Sequence, residues 1–355
     1  MNIPQLKIGG LTAEIPIVQG GMGVRVSLSS LASAVANEGG IGTISSIGLG
    51  DIEASKTEYE RISREALAKE IRRARSLTNG LLAVNVMGVL SNAEDLVRTA
   101  VREGIRIIVY GAGLPMKLPD VVPDPDVNLV PIISSPRVAE LILRGWNKRF
   151  NRIPDAFILE GPLAGGHLGF SDEQLASPDD YSLEILLPEV LNTIRPYEEK
   201  QGKKIPVIAG GGVFDGRDIA RMLRLGASGV QMATRFVCTD ECDVSQEFKQ
   251  AYLDAKEEDI VIIKSPVGMP GRAIRNKFLK DVETRGRLKI NCFYQCLSLC
   301  KVEQAKYCIA QALVNSYLGD TENGLIFCGQ NAYRVDKIIP VRTLIRELLD
   351  ELRAA

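Results

Sequence analysis

The stretch IPVIAGGGVFDGRDIARMLRLGASGVQMATRF, residues 205–236, decides the fold class. It begins with a short apolar run that predicts a strand over 205–209, and it predicts a second strand over 229–232. Between them, residues 215–225 carry apolar side chains at the three- and four-residue spacing of an amphipathic helix. A strand, a helix and a strand in this order predict a βαβ unit with parallel strands.

The same alternation of predicted strands and helices extends toward the N-terminus. Apolar runs bounded by Gly, Pro, Asn or Asp predict six more strands, at residues 16–19, 41–44, 81–86, 106–110, 129–133 and 155–159. Helical patterns fall between the strands, at residues 27–37, 54–77, 92–103, 136–144 and 183–200. The gap between the fourth and fifth strands is loop-rich, so its helix is weak or missing. Eight such strands predict a closed (β/α)8 TIM barrel, an α/β fold.

The barrel occupies residues 1–236 in this interpretation, which leaves residues 237–355 as a second unit. Its patterns predict a mostly helical appendage packed on the barrel mouth, with a cysteine-containing helix over 292–318 and a final helix over 340–352. The stretch GWNKRFNRI, residues 145–153, is interpreted as an extended surface loop.

Composition narrows the function classes. The chain has 355 residues, 45% of them hydrophobic, and a net charge of −1 without a basic cluster, so a nucleic-acid partner is not expected. No segment reaches the roughly 20 apolar residues of a membrane span. We therefore expect a soluble, cytoplasmic protein with a small-molecule substrate, and a homodimer stays open. Seven cysteines favour thiols or metal ligands over a disulfide framework.

Glycines cluster where the predicted strands end, at residues 19–23, 85–88, 110–113, 160–169 and 209–216. In a TIM barrel these loops form the active site, and a phosphate usually binds after the seventh and eighth strands. Gly210, Gly211 and Gly212 could let backbone N–H groups approach a phosphate at the start of the next helix, with Thr234 offering a hydroxyl and Arg235 a charge. Each loop alone could be an ordinary tight turn, but five in register favour a phosphate-bearing ligand.

Several of these segments, in this order, resemble the nitronate monooxygenase family, formerly called 2-nitropropane dioxygenases. They are PIVQGGMG, NVM, AGGH, the stretch at 205–236 and GMPGRAIRN. Flavin-type enoyl-acyl carrier protein reductases are close relatives of that family. The resemblance covers about residues 10–278 and resumes weakly at GLIFCGQNAY.

The resemblance implies a TIM barrel that binds FMN non-covalently. It implies that Gly211, Gly212, Ala233 and Thr234 hold the FMN phosphate, while Gly21, Met22 and Asn85 border the isoalloxazine ring. Gly210 and Gln231 complete the expected cofactor-binding set.

The resemblance also implies that the single histidine, His167, faces the substrate. An imidazole with its ordinary pKa near 6.5 could take a proton from carbon beside a nitro group, which makes His167 the candidate catalytic residue. The alternative is a buried histidine satisfied by backbone. Leu163 and Ser134 depart from the family pattern, since many members have an acidic residue at the first position and some have a lysine at the second.

A cysteine cluster is the second departure. In NCFYQCLSLCKVEQAKYC, four cysteines stand at positions 292, 296, 300 and 308. On a continuous helix Cys292 and Cys300 would lie about 12 Å apart along the axis, so a metal site requires the helix to break or begin within this stretch. Cys328 follows in FCGQNAY. Either four of these five cysteines, with Cys292, Cys296, Cys300 and Cys308 as the expected set, bind an iron–sulfur cluster or zinc, or the cysteines pack as small apolar residues.

Three functions stay open at this point. The first is an FMN-dependent oxidoreductase that oxidises nitronates or nitroalkanes with oxygen. The second is an NAD(P)H-dependent flavin reductase acting on an enoyl thioester or a related acceptor. The third is a flavin-binding electron-transfer protein without turnover of its own.

Overall fold

Eight parallel strands close into the predicted barrel. The computed structural model describes residues 3–51, 53–292, 296–298 and 300–355. The strands of this described chain are β1 (Leu6–Ile8), β2 (Leu11–Ala13), β3 (Ile17–Gln19), β4 (Ile41–Ser45), β5 (Leu81–Met87), β6 (Ile107–Gly111), β7 (Asn128–Ile133), β8 (Phe157–Glu160), β9 (Gly166–His167), β10 (Val207–Gly210), β11 (Gly229–Met232), β12 (Ile260–Lys264) and β13 (Pro270–Ile274). The barrel runs β3-β4-β5-β6-β7-β8-β10-β11 and returns to β3. All eight predicted strands are therefore confirmed as barrel strands.

Helices follow most barrel strands on the outside, and further helices lie in the C-terminal segment. They are α1 (Ser29–Asn37), α2 (Lys56–Leu77), α3 (Ala93–Arg102), α4 (Leu118–Val121), α5 (Pro136–Phe150), α6 (Asp172–Ala176), α7 (Leu183–Gln201), α8 (Gly216–Arg224), α9 (Thr234–Val237), α10 (Gln246–Asp254), α11 (Lys277–Arg285), α12 (Ile309–Tyr317) and α13 (Val341–Ala354). Helix α4 has only four residues, so the weak helix expected between the fourth and fifth strands is confirmed.

A hairpin of β1 and β2 closes the amino end of the barrel. Leu6 and Ile8 are buried in a core cluster with inward-facing barrel residues such as Val18 and Ile208. Leu6 packs against Gly229, the first residue of β11. A Cβ built on this glycine would lie 3.2 Å from Leu6 Cδ2. With this end filled, ligands can enter only from the carboxyl ends of the strands.

The C-terminal segment contributes strands as well as helices. β12 and β13 form an antiparallel hairpin, and β13 also pairs with β9, which places His167 opposite Gly271. Helix α13 packs on α8 and α1 with its apolar face fully buried. The division of the chain at residue 236 stays a prediction.

Two predicted elements are wrong. Residues 145–153 do not form a surface loop, because α5 continues to Phe150 and ends at the left-handed Asn151. Trp146 is buried on this helix and donates from Nε1 to Pro115 O over 2.8 Å. A helix over 292–318 is also wrong for the residues that the structure describes, since α12 begins only at Ile309; residues 293–295 and 299 lie outside the described chain.

Candidate active site

A cavity of about 230 Å³ lies at the carboxyl ends of the barrel strands. Strands β3, β5, β8, β10 and β11 contribute side chains or following loops to its wall. The C-terminal segment covers it from the other side, through α10, α12 and the stretch 327–331. The barrel and the C-terminal segment therefore line one cavity, at the end of the barrel where TIM-barrel active sites lie.

The structure brings almost all of the predicted site residues together. The predicted residues that line this cavity are Gly21, Met22, Asn85, His167, Gly211, Gly212, Gln231, Ala233 and Thr234. Gly210 is buried as the last residue of β10, one residue before the lining begins. The four cysteines at 292, 296, 300 and 308 lie elsewhere, around a second cavity.

The loop after β10 is shaped by glycine. Gly211 and Gly212 have φ values of +94° and +95°, a region that favours glycine. A Cβ at Gly211 would lie 2.9 Å from both Ala164 N and Gly161 O, so this glycine packs against the loop that follows β8. Asn331 of the C-terminal segment donates from Nδ2 to Gly212 O over 2.8 Å, which fixes the loop from the outside.

The start of α8 is not available to a phosphate. The Asp215 carboxylate accepts from the N–H groups of Arg217 and Asp218, both at 3.0 Å. Glu351 of α13 accepts from Gly216 N at 2.7 Å. The expectation that this helix N-terminus receives the phosphate is therefore wrong, because carboxylates already cap it.

Arg235 is also engaged elsewhere. Its guanidinium pairs with Glu347 of α13 at 3.2 Å and lies over the ring of Phe214, 4.9 Å from the centroid. Its charge therefore joins α9 to α13, and Arg235 does not line the cavity. Thr234 does line it, beside Gly329.

Asn85 has an unsatisfied oxygen at the cavity wall. Its Nδ2 donates to Gly21 O over 3.1 Å, while its Oδ1 is buried without a hydrogen-bond partner in the described part of the chain. Gly21 must be glycine here, since a Cβ would lie 2.3 Å from Asn85 Cβ. A buried amide oxygen without a donor is costly, so Asn85 Oδ1 is a candidate acceptor for a hydrogen bond from a ligand.

His167 is held by the C-terminal segment. It stands in β9, paired with β13, and its Nε2 lies 2.8 Å from Ser265 Oγ. The ring meets Phe327 edge to face, with centroids 5.1 Å apart. Burial lowers the pKa of His167 to about 4, so the imidazole is neutral at physiological pH. The ordinary pKa assumed from the sequence is therefore wrong for this environment.

Glu160 is a site residue that the sequence did not single out. It ends β8, lines the cavity and accepts a hydrogen bond from Gln231 Nε2 over 3.0 Å. Burial raises the pKa of Glu160 to about 7, with the bond from Gln231 opposing part of that rise. Its place at the carboxyl end of a predicted barrel strand was the signal that could have identified it.

The two departures from the family pattern have ordinary structural settings. Leu163 lines the cavity with an apolar side chain. Ser134 donates from Oγ to Gly169 O over 2.9 Å. Arg272 is buried beside the loop that follows β8. It donates hydrogen bonds to the carbonyl oxygens of Pro162 and Ala164, and these bonds fix the chain between β8 and His167.

Residues from the C-terminal segment were also missed. Those that line the cavity are Phe248, Tyr252, Leu313, Phe327, Cys328, Gly329, Gln330 and Asn331. Tyr252 donates to Phe327 O over 2.7 Å, so α10 and this stretch form one wall. The stretch GLIFCGQNAY already carried a weak family resemblance, and it could have identified the last five of these residues.

The second cavity is lined by the four predicted metal ligands. Burial raises the pKa of the Cys296 thiol to about 12, and the nearby thiols of Cys308, Cys300 and Cys292 add to that rise. All seven cysteines of the chain are thiols. Within the described ranges, no three His, Cys, Asp or Glu side chains converge closely enough to hold a single metal ion.

No helix in the described chain is long and apolar enough to cross a membrane.

Comparison with known proteins identifies the family. A model of the nitronate monooxygenase family matches residues 5–351, so the likeness extends well beyond residue 278. The chain is 31% identical over 276 residues to the (3aS,4S,5R,7aS)-5-hydroxy-7a-methyl-1-oxo-octahydro-1H-indene-4-carboxyl-CoA dehydrogenase of Mycobacterium tuberculosis, covering 78% of this chain and 67% of that protein. It therefore spans about two thirds of the length of that relative.

A probable nitronate monooxygenase of Staphylococcus saprophyticus is 28% identical over 308 residues, covering 79% of this chain and 81% of that protein. Among solved structures, FabK from Thermotoga maritima superposes with a TM-score of 0.73 at 28% identity, covering 96% and 94% of the two chains. The barrel, its glycine loops and the covering segment thus match one family over almost the whole length. This chain belongs to the nitronate monooxygenase family of oxidoreductases.

Proposed function

We propose that this protein is an FMN-dependent oxidoreductase of the nitronate monooxygenase type, which oxidises nitronates or nitroalkanes. One observation carries the proposal: the residues that the family resemblance assigns to the cofactor and His167 line the same cavity. Family membership supports the reaction class.

The residues around the cavity fit a flavin mononucleotide. The orphaned Oδ1 of Asn85 could accept a hydrogen bond from the ring edge, with Gly21 and Met22 alongside. Because the start of α8 is capped, the phosphate would use Gly211, Gly212, Ala233 and Thr234 instead. When bound, FMN would supply the capacity to take up and release an electron pair.

The protein's own contribution is orientation and electrostatics. A neutral His167 with a pKa of about 4 is a weak base at pH 7. It suits hydrogen bonding to the oxygen of an anionic substrate better than removal of a proton from carbon. We therefore favour a preformed nitronate over the neutral nitroalkane as substrate.

A second candidate is an NAD(P)H-dependent reductase or dehydrogenase of a thioester. Flavin-type enoyl-acyl carrier protein reductases are close relatives of this family, and the Mycobacterium tuberculosis relative is a carboxyl-CoA dehydrogenase. The specific observation in favour is the apolar wall of Phe248, Leu313 and Phe327, joined by Leu163 from the loop after β8. Such a wall would accept an acyl or ring system more readily than a small nitro compound.

Anaerobic mixing of the purified protein with NADH, NADPH or a nitronate distinguishes the candidates. We expect the nitronate to bleach the flavin absorbance within the time of a turnover. Bleaching by a pyridine nucleotide, followed by reoxidation with an enoyl thioester, would establish the second candidate. A flavin that none of the three reduces would reject both.

A further inference from the structure

Four cysteines surround one cavity away from the candidate active site. They belong to the cysteine strap, defined here as residues 286–292, 296–298 and 300–308 of the chain between α11 and α12. The cavity is lined by Cys292, Cys296, Cys300 and Cys308, together with Tyr307. The strap has no helix in its described residues, so the separation that a continuous helix would impose does not apply.

Tyr307 supplies a second observation at this cavity, a buried hydroxyl that could donate a hydrogen bond. Its side chain is 3% exposed, and its hydroxyl has no hydrogen-bond partner in the chain as described. Leaving a buried hydroxyl unsatisfied costs about 1–3 kcal/mol. The ring is fixed edge to face against Phe278, with centroids 5.1 Å apart. A sulfur-rich group in the cavity would give this hydroxyl an acceptor.

We propose that Cys292, Cys296, Cys300 and Cys308 bind an iron–sulfur cluster in this cavity. Zinc requires four sulfur atoms to converge on one point, and in the described residues no three potential ligands do so. A cluster binds its thiolates at separate iron atoms, so its ligands need not converge. Binding would release the thiol protons, and it would stabilise the strap in its folded position.

The cluster would hold the strap against the barrel. Leu297 bridges to Leu90, Ser298 N donates to Val89 O at 2.9 Å, and Ser91 N donates to Cys296 O at 3.1 Å. These contacts fix the loop that follows β5. At the other end of the strap Cys308 is the N-cap of α12, and Leu313 of that helix lines the active-site cavity. The strap therefore adjoins the active-site cavity through α12.

The test is the metal content of protein purified without oxygen. We expect about four iron and four acid-labile sulfide per chain, the content of a four-iron cluster with four cysteine ligands. Cys292→Ala changes an exposed residue, so it should fold normally and lower both contents at least about tenfold. Cys296→Ala, inside the cavity, should do the same. Cys242→Ala, a buried cysteine outside the strap, is the matched control and should keep both.

Three outcomes would overturn the proposal. They are protein that contains neither iron nor sulfide and takes up neither from ferrous iron and sulfide, protein with stoichiometric zinc and no sulfide, and full iron content in both strap variants. Flavin content is measured on the same samples. Loss of iron with retained flavin supports the cluster, whereas absence of flavin with retained iron bears only on the proposed function.

Discussion

Two titratable side chains face the active-site cavity with pKa values displaced in opposite directions. Burial raises the pKa of Glu160 to about 7 and lowers the pKa of His167 to about 4. Both shifts have one cause, since a poorly solvated cavity disfavours the charged form of either group. At neutral pH the cavity therefore holds an uncharged imidazole and a carboxyl group that is partly protonated.

These shifts predict opposing effects of pH on stability. Folded Glu160 binds more protons than unfolded Glu160 between its ordinary pKa near 4.5 and about 7, so its contribution falls as pH rises through that window. Unfolded His167 binds more protons than folded His167 between about 4 and 6.5, so its contribution rises with pH there. Each effect amounts to at most about 3 kcal/mol, and in the wild type they partly cancel.

Single variants separate the two effects. In flavin-free Glu160→Gln the free energy of unfolding should rise more steeply between pH 4.5 and 6.5 than in the wild type. In flavin-free His167→Asn the free energy of unfolding should instead fall as the pH rises over the same range. Urea unfolding across this range measures both slopes. Identical pH dependence in all three proteins would contradict the shifted pKa values.

His167 also gives a prediction about catalysis. His167→Ala should leave flavin binding intact and lower kcat/KM for a nitronate by roughly 10²–10³-fold, the usual cost of a lost oxyanion donor. Because the imidazole titrates near pH 4, the pH profiles of the variant and the wild type should run parallel above pH 6. Steady-state rates from pH 6 to 9 provide the measurement. If kcat/KM of the wild type changed near pH 6.5 and that of the variant did not, His167 would have its ordinary pKa, which contradicts the prediction.

At the scale of elements, the loop after β10 depends on the loop after β8. Gly211 has a positive φ, and a side chain there would meet Gly161 O and Ala164 N. Gly211→Asp should weaken FMN binding about tenfold or more, since backbone strain alone costs about 1–3 kcal/mol. Flavin content after gel filtration measures this.

The control for that variant adds the same carboxylate in open space. Gly10 has no atom within 4 Å of a built Cβ, so Gly10→Asp should retain FMN like the wild type. Full FMN content in Gly211→Asp would show that the loop has no part in binding the cofactor.

Helix α8 gives a second prediction at this scale, because α13 packs directly on its first turn. A Cβ at Gly216 would lie 2.3 Å from Leu348 O and 2.4 Å from Leu352 N. Gly216→Ala should therefore lower the free energy of unfolding by about 1–3 kcal/mol, although alanine favours helices. In Gly145→Ala, within α5, the new Cβ would meet only the flexible end of Met116. This variant should raise the free energy of unfolding by up to about 1 kcal/mol. Urea denaturation compares the pair, and equal stability of the two variants would contradict the close packing of α13.

Sequence reasoning succeeded for the elements whose information is local. Strands such as β5 and β8 are largely apolar runs, and the glycine loops follow them directly, so the barrel and its active-site end could be predicted. The short strand β9 could not, because it forms only by pairing with β13 across more than a hundred residues of chain. The pKa values of Glu160 and His167 are shifted because these side chains are buried, in part by the C-terminal segment. That segment is distant in sequence, so no local sequence pattern predicts the burial.

At the scale of the whole molecule, the C-terminal segment forms part of the wall of the candidate active site. It supplies the wall at 327–331, it positions His167 through β13, and it caps α8 through Glu351. The family match over residues 5–351 includes this segment, so the barrel and its cover belong to one functional unit. A cytoplasmic location and a homodimer stay predictions.

The central claim is that the shared cavity binds FMN. The most direct measurement is to denature the purified protein and identify and quantify the released cofactor by chromatography and mass spectrometry. We predict FMN at a ratio approaching one per chain, because the proposed phosphate site, formed by the glycine loop after β10 with Ala233 and Thr234 after β11, would take a single phosphate. Release of FAD, or a colourless protein that does not take up added FMN, would contradict the account.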